Sequence, residues 1–189
     1  LFEFSARSFI PVALACITGA AGHHLLFEEG VVFPLSFQLQ PSSNYALLFY
    51  ATMGIVIGLI SVIVTKVVYW IEDVFEKLPI HWAWWPAIGG IAVGVVGFFS
   101  PRTLGVGYSN ITDLLTGTMP MQVVLSLCIL KFVSWAISLG SGTSGGTLAP
   151  LLTIGGATGA LIGGIGMFWF PNSGINIPLS VLVGMSAMF

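Results

Sequence analysis

Long apolar stretches separated by short polar ones run through most of the chain, and they predict an all-α protein with helices of uneven length. We place the helices at residues 8–27, 45–78, 85–100, 108–117, 120–139, 147–170 and 179–189. An upright helix needs about 20 apolar residues to cross a bilayer. The helix at 108–117 is too short for that, so we expect it to be re-entrant or interfacial.

Polar clusters indicate where the chain leaves the apolar region. Residues 28–44 contain two glutamates, two prolines, a glycine, three serines and an asparagine, and they predict a loop. Charged residues at the end of the helix at 45–78 are typical of a helix that enters water. A following cluster of tryptophans, Trp82, Trp84 and Trp85, is typical of a membrane interface.

The composition indicates an integral membrane protein. Apolar residues make up 56% of the 189 residues and charged residues only 6%, whereas soluble domains carry about 25% charged residues. We therefore expect a multi-pass protein of the cell membrane, with the lipid bilayer as its surroundings. The net charge of −2 offers no basic face for nucleic acid.

Neither a metal site nor a cofactor is predicted. His23 and His24 are adjacent, so on a helix they point to different faces, which is poor metal geometry. Cys16 and Cys128 lie inside apolar stretches, and we expect both to be buried and reduced.

One polar, glycine-dense break interrupts the apolar sequence at residues 140–150, which read Gly-Ser-Gly-Thr-Ser-Gly-Gly-Thr-Leu-Ala-Pro. Hydrocarbon cannot satisfy non-helical backbone, so such a break must be buried in protein or line a wet cavity. A helix that starts near Thr147 would leave its first amides without intrahelical acceptors, at the positive end of the helix dipole. Pro150 suits its first turn, since proline lacks an N–H.

These features predict a small-anion site built from backbone amides. The candidate anion-binding residues are Gly145, Gly146, Thr147 and Leu148. The residues expected to shape the loop or pore are Gly140, Ser141, Gly142 and Pro150. The alternative is that the glycines only permit a sharp turn between two helices, and the residues alone leave both readings open.

A row of small residues follows the break. Gly155, Gly159 and Gly163 recur at i+4 spacing, with a second row at Gly156, Ala160 and Gly164 beside them. Such rows let another helix approach closely in a membrane. We therefore predict a helix-packing role for Gly155, Gly159 and Gly163.

Lys131 lies in the middle of an apolar helix, where a charge is costly and often functional. The favoured interpretation is that it ties loop carbonyls or caps a neighbouring helix. Direct attraction of an anion is the alternative.

The break resembles the second-repeat signature of the CLC family of chloride channels and chloride/proton exchangers. That family has a Gly-Ser-Gly segment, then Gly-x-Phe-x-Pro, then an apolar glycine-rich helix; residues 146–150 match the second motif here. Leu148 stands where the signature usually has Phe, which leaves the backbone amide but changes pore width or packing. The resemblance extends over the whole chain, including residues 45–78, 85–100, 108–117 and 183–189.

The resemblance implies a fold of inverted repeats in which residues 1–189 form part of the transmembrane domain, cut at both ends. It implies chloride as the bound and transported ion, no enzymatic activity and a homodimer formed partly through the helix at 8–22. The family's gating glutamate, first-repeat serine and late tyrosine lie outside this sequence, and Glu3 does not match its inner glutamate. Channel and exchanger therefore both stay open.

Two other functions compete with anion transport. Residues 142–145, Gly-Thr-Ser-Gly, fit the signature of rhomboid-type intramembrane serine proteases, with Ser144 as nucleophile. That chemistry needs a base within hydrogen-bonding reach, and no histidine follows Ser144 in this chain. A purely structural membrane protein would have no use for the polar break.

Overall fold

The structure is a computed structural model that describes residues 6–26, 43–171 and 173–189. Within these residues the chain forms α-helices and two short 3-10 turns, with no strand. The helices are α1 (Ala6–Leu26), α2 (Asn44–Glu76), α3 (Trp85–Phe99), α4 (Tyr108–Thr116), α5 (Met121–Gly140), α6 (Leu148–Trp169) and α7 (Ile177–Ala187). Their bounds lie within two residues of those predicted. Most of the predicted loop at 28–44 lies outside the described residues.

Among the described residues, four helical segments are long and apolar enough to cross a membrane. They are Asn44–Glu76, Trp82–Phe99, Met121–Gly140 and Leu148–Trp169. The break therefore separates two helices that both have the length of a full span. The multi-pass prediction is confirmed.

α4 has only nine residues, and a glycine in the left-handed conformation stands at each end. Gly107 precedes it with φ 85° and Gly117 follows it with φ 67°. Glycine adopts these angles without steric cost, and Gly117 ends the helix as a C-terminal cap. No side chain caps the start of α4, and Asn110 in its first turn is buried.

The chain divides into two compact units, at Leu1–Pro34 and Leu35–Phe189. The first contains α1, whose described apolar side chains are largely exposed. Cys16 is exposed on α1, so the prediction that both cysteines are buried is wrong for Cys16, because no other helix of this unit covers α1 in the residues that the structure describes. Cys128 on α5 is buried as predicted.

Helix α6 is the centre of the second unit and packs against α7, α5, α4 and α2. The row of Gly155, Gly159 and Gly163 faces α7. A Cβ atom on Gly155 would lie 2.6 Å from the carbonyl oxygen of Gly184, and one on Gly159 would overlap the carbonyl oxygen of Ser180. These short distances support the helix-packing role predicted for the three glycines.

The second small row of α6 brings other side chains close to its backbone. A Cβ on Gly156 would lie 2.8 Å from the Cε of Met185 on α7, and one on Gly164 would overlap the Cε of Met121 on α5. A Cβ on Gly166 would likewise overlap the aromatic ring of Phe49 on α2. The small residues of α6 therefore let neighbouring helices pack closely against it on several sides.

Candidate functional site

Gly140 and Ser141, at the start of the break, are held in place by close packing. A Cβ on Gly140 would lie 2.7 Å from the Cγ2 of Ile71 on α2, so α5 ends in close contact with that helix. Ser141 is fully buried and its hydroxyl donates to the carbonyl of Ser138 at 2.7 Å. Gly89 on α3 makes room for Ser141, since a Cβ there would lie 2.8 Å from the serine Cβ.

The chain then turns at Gly142, which has φ 75°. Its amide donates to the carbonyl of Leu139 at 3.1 Å and closes the end of α5. A positive φ of this size favours glycine. The sharp-turn interpretation therefore accounts for Gly142, as the close packing accounts for Gly140.

Neither reason applies to Gly145 and Gly146. Neither has a positive φ, and a Cβ on either would meet nothing within 4 Å. The fold of the described residues therefore does not require glycine at these two positions. Because they have no side chains, these two glycines leave their backbone open to approach.

The backbone amides at the start of α6 have no acceptors. Thr147 is the N-cap and its side chain makes no capping hydrogen bond. The first amide that is paired is that of Leu151, which donates to the carbonyl of Thr147 at 3.1 Å. Within the described part of the chain, the amides from Gly145 to Ala149 donate to no hydrogen-bond acceptor. Pro150, half-buried in the first turn, has no N–H.

The side chains at this helix start are exposed. Residues 142–148 are all exposed, and Leu148 has 56% of its surface accessible. The leucine that stands in place of the usual phenylalanine is therefore not buried by the residues that the structure describes.

A partly polar cavity of about 450 Å³ lies beside the break. Its walls include Thr147, Gly140, Glu72 and the ring of Trp135. The indole N–H of Trp135 is buried without an acceptor. A larger cavity of about 590 Å³, lined mainly by apolar and aromatic side chains from the first turns of α2 and the end of α6, does not border the break.

Lys131 is held by the loop between α3 and α4. Its Nζ donates to the carbonyl oxygens of Thr103 at 2.8 Å and Gly105 at 2.9 Å. The same loop is fastened by Asn110, whose Nδ2 donates to the carbonyl of Arg102 at 2.7 Å. The prediction that Lys131 ties loop carbonyls is confirmed.

The sequence did not identify Asn110 and Thr153 as polar neighbours of Lys131 and its loop. Asn110 and Thr153 are buried polar residues on α4 and α6, and both approach the space next to Gly107. Their isolated places in apolar stretches were the available signal, because buried polar groups in a membrane need partners. Asp113 pairs with Arg102 at 3.3 Å on the surface.

Ser144, the nucleophile of the protease alternative, has no catalytic surroundings among the described residues. It is exposed, and no hydrogen bond joins it to a histidine. His81 caps a 3-10 turn, where its Nδ1 accepts from the amide of Ala83 at 3.3 Å. The protease alternative gains no support.

Several helices long enough to cross a membrane, with an interrupted region between two of them, are the features of a multi-pass membrane protein. A family model described as "Voltage gated chloride channel" matches residues 1–189, which is the whole chain. The chain belongs to this family, known as CLC.

Curated relatives agree with this assignment. The chain is 30% identical over 181 residues to the voltage-gated ClC-type chloride channel ClcB of Escherichia coli O17:K52:H18. It is equally similar to ClcB of Shigella boydii serotype 18. Each match covers 94% of this chain and 42% of the relative. The chain thus spans less than half the length of the relatives it matches.

Proposed function

We propose that this chain is part of a protein that carries chloride across the membrane, as a chloride channel or a chloride/proton antiporter. Membership of the family and the printed names of the relatives support chloride as the ion. The proposed activity is transport, and no catalytic residue is assigned.

The observation that carries the proposal is the run of unpaired amides at the start of α6. Gly145, Gly146, Thr147 and Leu148 present N–H groups with no acceptor among the described residues. A helix amino terminus adds a partial positive charge of roughly half a unit. Together these are the elements of a binding site for a small anion.

A site made of amides suits an ion that must leave again. Conduction requires binding that is strong enough for entry and weak enough for release. Partial charges on N–H groups meet that requirement better than a full cation in contact with the ion. The other ligands would come from parts of the whole protein that precede or follow this chain, because its relatives are more than twice as long.

The proposal includes a homodimer formed partly through residues 8–22. Its support is the exposed apolar surface of α1, which includes Ile10, Val12, Leu14 and Ile17. Contact with lipid would cover the same surface. Light scattering on the full-length protein in detergent distinguishes the two, since the proposal requires a mass of two copies and a monomer would contradict it.

Chloride flux from liposomes tests the function. We expect the full-length protein to release trapped chloride and Gly146→Val to slow that release by at least roughly tenfold, since a branched side chain would cover the amides while its Cβ meets nothing within 4 Å. Gly90→Val on α3 is the matched control, because a Cβ there also meets nothing within 4 Å. A pH electrode in the same experiment separates antiporter from channel through coupled proton movement.

Equal flux from the wild type, Gly146→Val and Gly90→Val would contradict the assignment of this loop. Absence of chloride flux from the folded wild type would contradict the function itself.

A further inference from the structure

Lys131 is a buried cation that the proposed anion site does not use directly. Only 4% of its surface is accessible, and it lies in the middle of a membrane-spanning helix. Its Nζ donates to two backbone carbonyls, of Thr103 and Gly105. These carbonyls replace part of the water that the ammonium group has lost, but they carry no net charge.

No carboxylate lies within ion-pair distance of Lys131 in the residues that the structure describes. The ion pair found there joins Arg102 and Asp113 at the surface, with 54% and 41% of their side chains exposed. The positive charge of Lys131 is therefore not neutralised locally. In a medium of low dielectric constant such a charge acts over a longer distance than in water.

The charge lies beside the first turns of α6. The space left by the missing side chain of Gly107 is 3.8 Å from the Nζ of Lys131, 3.6 Å from the Oγ1 of Thr153 and 3.4 Å from the Nδ2 of Asn110. Thr153 is in the second turn of α6, and its hydroxyl donates to the carbonyl of Ala149 at 2.9 Å. The Nζ of Lys131 and the Oγ1 of Thr153 thus border the same small space next to Gly107, and Thr153 is hydrogen-bonded to the turn that carries the unpaired amides.

We infer that Lys131 strengthens anion binding at the start of α6 through its charge, as a positioning residue that never contacts the ion. This inference rests on the proposed function. The loop carbonyls hold the ammonium group in place beside α6, so that it attracts the anion without binding it too tightly. At a separation on the order of 10 Å and an effective dielectric constant of about 20, one unit charge changes anion affinity roughly tenfold.

Calorimetric titration of the purified full-length protein with sodium chloride, in a chloride-free buffer, tests the inference. Lys131→Met removes the charge and the donors, whereas Lys131→Gln removes the charge but keeps amide hydrogens for the loop carbonyls. We expect both variants to bind chloride roughly tenfold more weakly than the wild type. Lys77→Gln removes the same charge from the exposed end of α2, where water and salt screen it, and it should bind as the wild type does.

A second pair of variants neutralises the charge while Lys131 stays in place. Asn110→Asp puts a carboxylate beside the ammonium group, and Asn110→Ala removes the same hydrogen bond to Arg102 without adding charge. We expect weaker chloride binding for the aspartate only. Wild-type chloride affinity in both Lys131→Gln and Asn110→Asp would overturn the inference. Lys131 would then serve only to hold the loop through its hydrogen bonds. Absence of chloride binding by the wild type would contradict the proposed function instead.

Discussion

Thr147→Pro is expected to weaken chloride binding by the full-length protein roughly ten- to hundredfold. The substitution removes one N–H at the start of α6, and a hydrogen bond to a charged partner contributes about 1.5–3 kcal/mol. In the structure this amide has no other acceptor among the described residues, so its loss costs the protein no internal hydrogen bond. Titration with chloride by calorimetry measures the change.

The backbone at this position accommodates proline with little strain. Thr147 has φ −94°, within about 30° of the value that proline fixes. The preceding residue is Gly146, which adapts more readily than other residues to a following proline. We therefore expect α6 to begin at the same residue in the variant, with one donor fewer.

Thr147→Ala is the matched control because it keeps the amide and removes only the side chain. The threonine side chain makes no capping hydrogen bond, so the alanine variant should bind chloride as the wild type does. If both variants weakened binding equally, the side chain rather than the backbone would hold the ion. If neither did, the amide of Thr147 would not belong to the site.

Gly159→Ala is expected to destabilise the full-length protein by about 2 kcal/mol or more, near the upper part of the range for overpacked interiors. A Cβ at this position would overlap the carbonyl oxygen of Ser180 and lie 3.1 Å from the Cα of Gly184. Both atoms belong to the backbone of α7, so no side-chain rotation relieves the contact. The midpoint of thermal unfolding in detergent measures the effect.

Gly94→Ala on α3 is the control for this substitution. The two changes add the same methyl group to a glycine inside a long helix, but nothing lies within 4 Å of a Cβ at Gly94. We expect the Gly94 variant to unfold at or slightly above the wild-type temperature, since alanine favours the helix over glycine. Equal unfolding temperatures for both variants would contradict the close α6–α7 packing.

The helices could be predicted from the sequence because their apolar runs are long and their ends carry strong local signals. Gly117 and Gly142 stop α4 and α5, and Pro150 lies in the first turn of α6. The glycine row of α6 also predicted close helix packing, because i+4 spacing puts Gly155, Gly159 and Gly163 on one face. These features depend on residues that are close in sequence.

Long-range features could not be predicted in the same way. The sequence indicated that Lys131 needs partners, but Thr103 and Gly105 are 28 and 26 residues away and contribute only backbone carbonyls. Cys16 looked buried because α1 is apolar all round, and apolar residues in a membrane protein face lipid as readily as protein. The sequence also could not show which glycines of the break are required by close packing, which by a positive φ and which by neither, because that depends on φ angles and neighbour distances.

The central claim is that the unpaired amides at the start of α6 bind the transported anion, and bromide diffraction tests it most directly. Crystals of the full-length protein soaked in bromide should show an anomalous peak within hydrogen-bonding distance of the amide nitrogens of Thr147 and Leu148. A protein that transports chloride yet shows its bromide peaks only away from residues 145–148 would contradict the account.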